Sequence, residues 1–238
     1  MRGSSGLFDR DAVSQTEKAY GVLEELIVTG ALPPGSQWTE IALSERLGIG
    51  RSPIRDALQK LAFQRLVTIA PRQGIFISEI DYQGQLKVIQ SRREIERLIV
   101  AQAARCANDS ERTQMAALIE ELESVKLDHD MESYMRVHFK LTSVVGDASR
   151  NSYAAEFYAM LQTLARRFLY FHQERHTDLT RICDLHIDQL KALIGGSVED
   201  AVTAAVRRND YAEDLAKNIL MELIATSAVT ISPADAKR

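Results

Sequence analysis

The strongest constraint on the fold is a stretch of about 160 residues without proline, between Pro71 and Pro233. Proline interrupts helices, so its absence permits long uninterrupted ones. Within this stretch apolar residues recur at helical spacing, which predicts a series of helices with few breaks. The expected ranges are 82–107, 110–127, 131–146, 152–175, 178–194 and 198–225. We therefore predict an all-α bundle of about six helices.

The first eighty residues follow a different pattern, in which three short helices precede two β-rich runs. Helical spacing predicts a first helix over residues 15–28, and Thr39 is the predicted N-cap of a second helix that ends near residue 47. Ser52 followed by Pro53 is typical of an N-cap and a first helical position. This pair predicts a third helix that runs to about residue 64.

The two β-rich runs, LVTIA and GIFIS, are separated by residues 71–73. Runs of this length on either side of a turn predict a hairpin. The fold class is therefore mainly α: an N-terminal winged helix-turn-helix with a two-stranded β wing over residues 14–79, then the helical bundle over residues 80–228. Residues 1–13 and 229–238 are predicted to be tails, the first of them disordered.

The third predicted helix separates its apolar and polar residues onto different faces. An apolar stripe that begins at Ile54 should face the core, whereas Arg55 and Gln59 lie opposite, with Arg51 just ahead of the helix. In a winged helix-turn-helix the third helix enters the major groove. The arginine fork can bind guanine O6 and N7 together. These residues are therefore candidates for contacts with double-stranded DNA.

Local charge supports a DNA-binding surface, although the whole chain has a formal charge of -4. A net acidic chain excludes a uniformly cationic protein, so any nucleic-acid surface must be a local patch. Between residues 46 and 72, six basic side chains stand against Asp56 alone, a local net charge of +5. The alternative is that these are ordinary solvated residues, with Arg55 paired to a nearby acid.

The segment LGIGRSPIRDAL closely resembles the signature of the GntR-type bacterial transcription regulators, a Leu-Gly-Val-Ser-Arg-Thr-Pro-Val-Arg-Glu-Ala-Leu pattern. The runs ALPPGSQWTE and RQGIFIS fit the same family. The resemblance implies that Arg51 and Arg55 contact the operator, with Ser52 and Pro53 near the phosphates.

The same resemblance implies that Arg72 and Gly74 lie at the tip of the wing, close to the minor groove. Gly50 departs from the family pattern, which usually has a small hydroxyl residue at this position. A phosphate contact is therefore expected to be missing there.

Several predicted bundle helices carry an apolar stripe that is interrupted by polar residues. The interrupting residues, on four helices, are Arg92, Tyr134, His138, His186 and Arg208. A polar group on a core face costs several kcal/mol unless it finds a partner. Such residues could have separate explanations, with Arg92 paired to Glu96 and Arg208 extending to solvent. They could instead line one buried site.

This half resembles, more loosely, the FCD effector domain of the FadR subfamily. SRREIE is similar to its opening Arg-x-x-x-Glu element, and VHFKLTSVVGDASRN and LHIDQLKALIGGSVEDA are similar to its two histidine segments. Many such domains bind a divalent metal through one aspartate and three histidines. Here His138 and His186 match two of these ligands. Tyr134 stands in place of the aspartate, and Arg208 (or Asn209, if the alignment shifts by one) in place of the last histidine.

Two imidazoles without a carboxylate are a poor ligand set for a divalent metal, and an arginine repels a cation. We therefore favour no metal or other cofactor; a metal, if bound, would use His138 and His186. The side chains instead predict a donor-rich pocket for a small carboxylate or phosphate metabolite. The predicted effector-binding residues are Arg92, Tyr134, His138, His186 and Arg208.

The expected protein is a ligand-responsive transcriptional regulator, more commonly a repressor in this family, and not an enzyme. Two-fold symmetric operators imply a homodimer. In one alternative the bundle is a metallohydrolase, for which DHDM supplies only the dipeptide His129-Asp130. In another, the bundle serves only for dimerisation, with its polar residues satisfying each other.

The sequence also predicts where the protein acts. No apolar run approaches the roughly 18 residues of a membrane span, so no membrane partner is expected. Cys106 and Cys183 are predicted to be buried free thiols, as in proteins of a reducing compartment. The expected location is the cytoplasm.

Overall fold

The structure, a computed structural model, describes residues 14–173 and 177–230, the side chains of 226–230 excepted. The chain divides into two compact units between Glu79 and Ile80. The predicted tail at residues 1–13, the predicted helix end at residue 175 and most of the second predicted tail lie outside the described residues.

The first unit contains three helices and three short strands. In chain order they are α1 (Gln15–Val28), β1 (Gln37–Trp38), α2 (Glu40–Leu47), α3 (Arg51–Phe63), β2 (Val67–Ala70) and β3 (Gly74–Ile77). α1 packs against α3, and the contact buries an apolar stripe from each helix. Ile54 and Leu61, on the α3 stripe predicted to face the core, are fully buried. This amphipathic packing defines the core of the unit.

The start of α3 differs from the prediction. Its N-cap is Gly50, which makes no side-chain capping bond, so Ser52 is the second helical residue rather than the cap. α2 ends at Gly48, whose φ of 62° is left-handed, and the chain then needs only two residues before α3 begins. Pro53 is tolerated in the first turn because the amide groups there have no intrahelical acceptor.

The predicted hairpin is present, and a third strand joins it. β2 and β3 pair antiparallel with Ala70 opposite Gly74. β1 pairs with the other edge of β3, where Trp38 stands opposite Ile75. The wing is therefore part of a three-stranded sheet in the order β1-β3-β2. A strand of two residues shows no periodicity, which is why the sequence pattern did not indicate β1.

The second unit contains the six predicted bundle helices. They are α4 (Gln85–Cys106), α5 (Asp109–Asp128), α6 (Met131–Ala148), α7 (Ser152–Phe171), α8 (Leu179–Gly195) and α9 (Val198–Thr230). α4 packs against α6, α7, α8 and α9, so it forms the centre of the bundle. α9 extends past its predicted end at residue 225 and into the segment predicted to be a tail.

Two further sequence predictions concern the cysteines and the membrane. Both cysteines are free thiols, but only Cys183 is buried; Cys106, the last residue of α4, is exposed, which corrects its prediction. None of the helices within residues 14–173 and 177–230 combines the length and the apolar composition that a bilayer span requires.

The backbone conformation of Gly74 and its close contact with β1 can be tested by substitution. Its φ is 115°, and a Cβ added there would lie 2.7 Å from the carbonyl oxygen of Trp38. We expect Gly74→Ala to lower the free energy of unfolding of the first unit by about 2 kcal/mol, because both the backbone and the strand contact become strained. Urea denaturation followed by the fluorescence of Trp38, the single tryptophan, measures this change.

Gly21→Ala is the matched control. Gly21 lies inside α1 with an ordinary φ, and a Cβ there would meet no atom within 4 Å. We expect this change to raise the free energy of unfolding by about 0.5–1 kcal/mol, as alanine does in a helix interior. Equal effects of the two substitutions would contradict the strain that we assign to Gly74.

Candidate functional site

The first turns of α3 present a polar surface to solvent. Arg51, Ser52, Arg55 and Gln59 are exposed and Pro53 is half-buried. The amide groups of the first turn are free of intrahelical bonds, and they add the positive end of the helix dipole to the arginine charges. Such a surface favours the phosphate groups of a nucleic acid.

Arg55 is held by an acidic residue of the preceding helix. Its Nε and Nη2 atoms donate to the two carboxylate oxygens of Glu40, at 3.0 and 2.7 Å. The ion pair between Arg55 and a nearby acid, which the sequence analysis gave as an alternative, is therefore present in the structure. The hydrogen bonds from Arg55 lower the pKa of Glu40. Because 54% of the Arg55 side chain remains exposed, the pair orients the guanidinium without burying it.

The tip of the wing contains the other predicted DNA-binding residues. Arg72 is exposed and has a left-handed φ of 63°, within a turn closed by a hydrogen bond from Gln73 N to Ala70 O of 3.0 Å. Gly74 begins β3 beneath this turn. Its close approach to Trp38 gives a structural reason for glycine that does not depend on DNA.

In the second unit, all five predicted effector-binding residues line one cavity of about 50 Å³. They come from four helices, α4, α6, α8 and α9, and all are buried. Three further polar residues also line the cavity and were missed by the sequence analysis: Gln85 of α4, Arg166 of α7 and Tyr211 of α9. Arg166 Nη1 donates to the carbonyl of Met135 at 3.0 Å. The buried position of Arg166 in the apolar stripe of α7 resembles that of Arg92 and could have indicated it.

A fully buried carboxylate, that of Glu96, organises the arginines of this cavity. It pairs with Arg208 and accepts hydrogen bonds from Gln189 Nε2 at 2.9 Å and Asn209 Nδ2 at 2.8 Å. The expectation that Arg208 extends to solvent is wrong, since the residue is only 5% exposed. The alternative in which Arg92 simply pairs with Glu96 is also wrong, because Arg92 Nε donates to Asn209 Oδ1 at 2.9 Å.

The two histidines form a hydrogen-bonded cluster with Tyr134. The Tyr134 hydroxyl lies 2.9 Å from His186 Nε2 and 3.4 Å from His138 Nδ1. Arg208 Nη1 lies 3.3 Å from the same His186 nitrogen. A guanidinium can only donate, so His186 Nε2 accepts and the ring proton belongs on Nδ1. His186 is therefore neutral.

The interior of the cavity carries an excess of positive charge. Burial, followed by repulsion from neighbouring charged groups, holds the pKa values of both histidines well below 6.5. Three guanidinium groups then stand against Glu96 alone. Burial and the charge of Arg208 lower the pKa of Arg92 to about 10. Burial opposes ionisation of Glu96, yet Arg208 and Arg92 keep its pKa below the ordinary value.

Several buried polar atoms at the cavity have no hydrogen-bond partner among the described residues: Arg92 Nη2, Arg208 Nε, His138 Nε2 and His186 Nδ1. The four residues are 1–5% exposed. Burying a donor without a partner is unfavourable, and more so for a charged one. The Tyr134 proton is donated to His186 Nε2, so neutral His138 donates from Nδ1 and its Nε2 can only accept. The unpaired guanidinium donors, Arg92 Nη2 and Arg208 Nε, are chemically suited to an anion that supplies their missing acceptors.

Comparison with known families agrees with the architecture of both units. A family model described as the FCD domain matches residues 87–209, just over half of the chain, and one described as bacterial regulatory proteins of the gntR family matches residues 15–77. The chain belongs to the GntR family, with an FCD domain. Its α3 surface lies in the family's helix-turn-helix region, and its cavity lies largely in the FCD region.

Among curated proteins, the GntR–FCD chain is 28% identical over 126 residues to the regulator McbR of Escherichia coli K12, covering 53% of this chain and 57% of that protein. It is 26% identical over 132 residues to the repressor RspR of the same strain, covering 54% and 58%. The chain thus matches less than two thirds of the length of each. Both relatives are named as transcriptional regulators rather than as enzymes.

Solved structures show the same fold at low identity. McbR/YncC of E. coli matches with a TM-score of 0.73 and 22% identity, over 88% of this chain and all of that one. A GntR transcriptional regulator of Rhodococcus sp. RHA1 matches with a TM-score of 0.65 and 21% identity, over 87% and 98%. The mainly helical fold with a small sheet after the helix-turn-helix is therefore confirmed.

The cavity residues do not fit the divalent metal that the FCD resemblance implies. Within the described parts of the chain, no group of three or more His, Cys, Asp or Glu side chains could hold a metal ion. His186 Nε2 already accepts hydrogen bonds, and the guanidinium of Arg208 lies beside it. A cation at this point would meet a positive charge and too few ligands.

The dipeptide that suggested a hydrolase has a structural role. His129 has a left-handed φ of 51° and ends α5 as its C-cap. Asp130 is the N-cap of α6, and its carboxylate accepts from the amides of Glu132 and Ser133 at 2.9 and 3.1 Å. Asp130 is thus committed to a helix cap, as is common for aspartate.

The buried histidines predict the response of the second unit to acid. In the unfolded chain His138 and His186 regain ordinary pKa values near 6.5, so the unfolded state binds more protons below that pH and stability falls. The free energy of unfolding should decrease by up to about 1.4 kcal/mol per pH unit for each histidine between roughly pH 6 and 5. Urea denaturation followed by circular dichroism measures the slope.

His186→Gln removes one of the two titrating groups. We expect this variant to lose about half of the histidine-dependent slope between pH 6 and 5, whatever its stability at neutral pH. A slope that is the same in the variant and in the original chain would show that His186 is protonated in the folded state.

Proposed function

We propose that the chain is a ligand-responsive transcriptional repressor, which binds operator DNA through its first unit and a small anion through its second. The observation that carries the DNA-binding half is the exposed, arginine-bearing first turn of α3 in a GntR-type winged helix-turn-helix. The names of RspR and GlaR, both repressors, support repression as the mode of action.

In this proposal α3 enters the major groove of the operator. Arg51, which forms no ion pair among the described residues, reads a guanine edge, and Arg55 is presented beside it by Glu40. Gln59 lies one turn further along the same face. The free amides around Ser52 and Pro53 face the phosphate backbone.

The wing supplies the second contact with DNA. Arg72 projects from the turn at the tip of the hairpin towards the minor groove, and Gly74 allows the sheet beneath it to close. Because operators of such proteins are two-fold symmetric, the chain acts as a homodimer with one α3 in each half-site. Its place of action is the cytoplasm, where bacterial DNA lies.

The helical unit senses a small anionic metabolite. Support comes from the excess of positive charge in the cavity and from the guanidinium donors without partners, Arg92 Nη2 and Arg208 Nε. The anion is received by Arg92, Tyr134, His138, His186 and Arg208. Regulation requires that the anion bind the DNA-competent and DNA-incompetent states with different affinities.

Substitution of the α3 arginines tests the DNA-binding half. A duplex selected by the original chain from a random pool serves as the probe, at one fixed salt concentration. We expect Arg51→Ala to weaken binding by about tenfold or more, because a bidentate arginine–guanine contact is worth roughly 1–3 kcal/mol. Arg55→Ala should weaken it as well, and Glu40→Gln should weaken it less, since it removes only the support of Arg55.

Arg105→Ala, an exposed arginine at the end of α4, is the control for loss of surface charge. It should leave affinity for the selected duplex unchanged. If Arg51→Ala and Arg55→Ala both bind as tightly as the control variant, while folding and dimerising normally, α3 is not the reading helix.

Metal analysis tests the metal-free cavity. We expect the purified chain to contain far less than one zinc or nickel ion per molecule, because the cavity lacks a carboxylate ligand and contains Arg208. Treatment with EDTA should leave its thermal midpoint unchanged. Near-stoichiometric zinc or nickel that disappears in His138→Ala would contradict this and restore the metal alternative.

A further inference from the structure

The cavity of the second unit has two chemically different ends. One end contains Arg92, His138, His186 and Arg208. Along α9, Ala212 and Leu215 follow Arg208 by one and two helical turns, which places Leu215 about 10 Å further along the axis. The walls beyond the charged end therefore become apolar.

The other helices that line the cavity also present apolar side chains beyond its charged end. α4 runs antiparallel to α9, since Ile89 packs with Ala216 and Ile219, whereas Glu96, further along α4, bonds to the earlier residue Asn209. Behind the apolar wall lies a core cluster of Ile89, Phe168, Ala216 and Ile219, and the Phe168 ring also lines the cavity. Leu169 of α7 and Ile182 of α8, one helical turn before His186, also line the cavity.

The polar groups at the apolar end are neutral. Gln85 and Tyr211 line it, and the Tyr211 hydroxyl accepts a hydrogen bond from the amide of Asp178 at 3.4 Å. Such groups can bond to a hydroxyl substituent, but they cannot neutralise a second carboxylate. A second charge would lose its hydration there without gaining a counter-ion.

The size of the cavity limits the length of its ligand. Its volume is about 50 Å³. A buried water needs roughly 10–15 Å³ of such space, so the cavity corresponds to about four waters. A ligand with a carboxylate and a chain of only a few carbons fills it.

We propose that the effector is a monocarboxylate with a short apolar chain, its carboxylate on Arg92 and Arg208 and its chain against Phe168 and Leu215. The inference rests on the proposed anion-binding role of the cavity and names the class of anion. Arg208, held by Glu96, positions the charged end and repels a metal ion that would otherwise compete for the histidines.

A series of acids tests the class of ligand. Isothermal titration of the full chain, at constant ionic strength and neutral pH, compares acetate, propionate, butyrate, hexanoate and decanoate. Affinity should rise about fourfold per buried methylene until the cavity is full, and then fall. Butyramide, which has the same shape without the charge, and succinate, which has a second carboxylate, should each bind at least tenfold more weakly than butyrate.

Two variants, each with a matched control, test which end of the ligand lies at which end of the cavity. Ala212→Leu fills the apolar end and should move the optimum to a shorter acid, whereas Ala117→Leu, at an exposed position of α5, should not. Arg92→Gln should reduce butyrate affinity at least tenfold, and Arg93→Gln, which alters only the neighbouring surface pairs, should not. If Arg92→Gln does not fold, the comparison of butyrate with butyramide in the original chain decides the same point.

The outcomes separate this inference from the proposed function. Succinate or inorganic phosphate binding as tightly as butyrate, or affinity that does not depend on chain length, overturns the monocarboxylate class and leaves an anion sensor. Failure of every anion to bind overturns both this inference and the sensing half of the proposal. Neither result affects DNA binding by α3, which the arginine variants test separately.

Discussion

The helical unit depends on one buried carboxylate. Glu96 of α4 receives hydrogen bonds from Gln189 of α8 and Asn209 of α9 and pairs with Arg208. A buried ion pair adds little net stability, because the loss of hydration offsets the attraction. Its effect is geometric. The carboxylate joins three helices and holds the guanidinium of Arg208 in a fixed position beside the histidine cluster.

A glutamate also positions an arginine in the first unit, in a different environment. Glu40 holds Arg55 through two hydrogen bonds, but the Arg55 side chain is 54% exposed, against 6% for that of Arg208. Water screens the exposed pair, so in the proposed complex DNA would replace Glu40 as the partner of Arg55. Arg208 cannot exchange its partner in this way. In the proposed function the exposed pair orients Arg55 for DNA, whereas the buried pair is part of the cavity wall.

The sequence predicted the features that depend on local periodicity. The absence of proline after Pro71 and the spacing of apolar residues located all six bundle helices, and the interrupted stripes identified five residues that meet at one cavity. The exceptions have physical reasons. β1 is too short to show a period. The Ser52-Pro53 pair resembles a helix start but lies two residues too late, because Gly50 is the N-cap of α3. The partners of Glu96 depend on which helices pack together, which periodicity does not reveal.

Tyr134 and Arg208 stand where the FCD resemblance implies metal ligands, and a cavity built in this way changes what the folded chain needs from its surroundings. A bound ion must be acquired, and its occupancy follows the supply of that ion in the cell. The guanidinium of Arg208 is part of the polypeptide and enters the cavity when the helices assemble. The positive charge of Arg208 is therefore present in the cavity of every folded molecule, whatever the supply of metal ions in the cell.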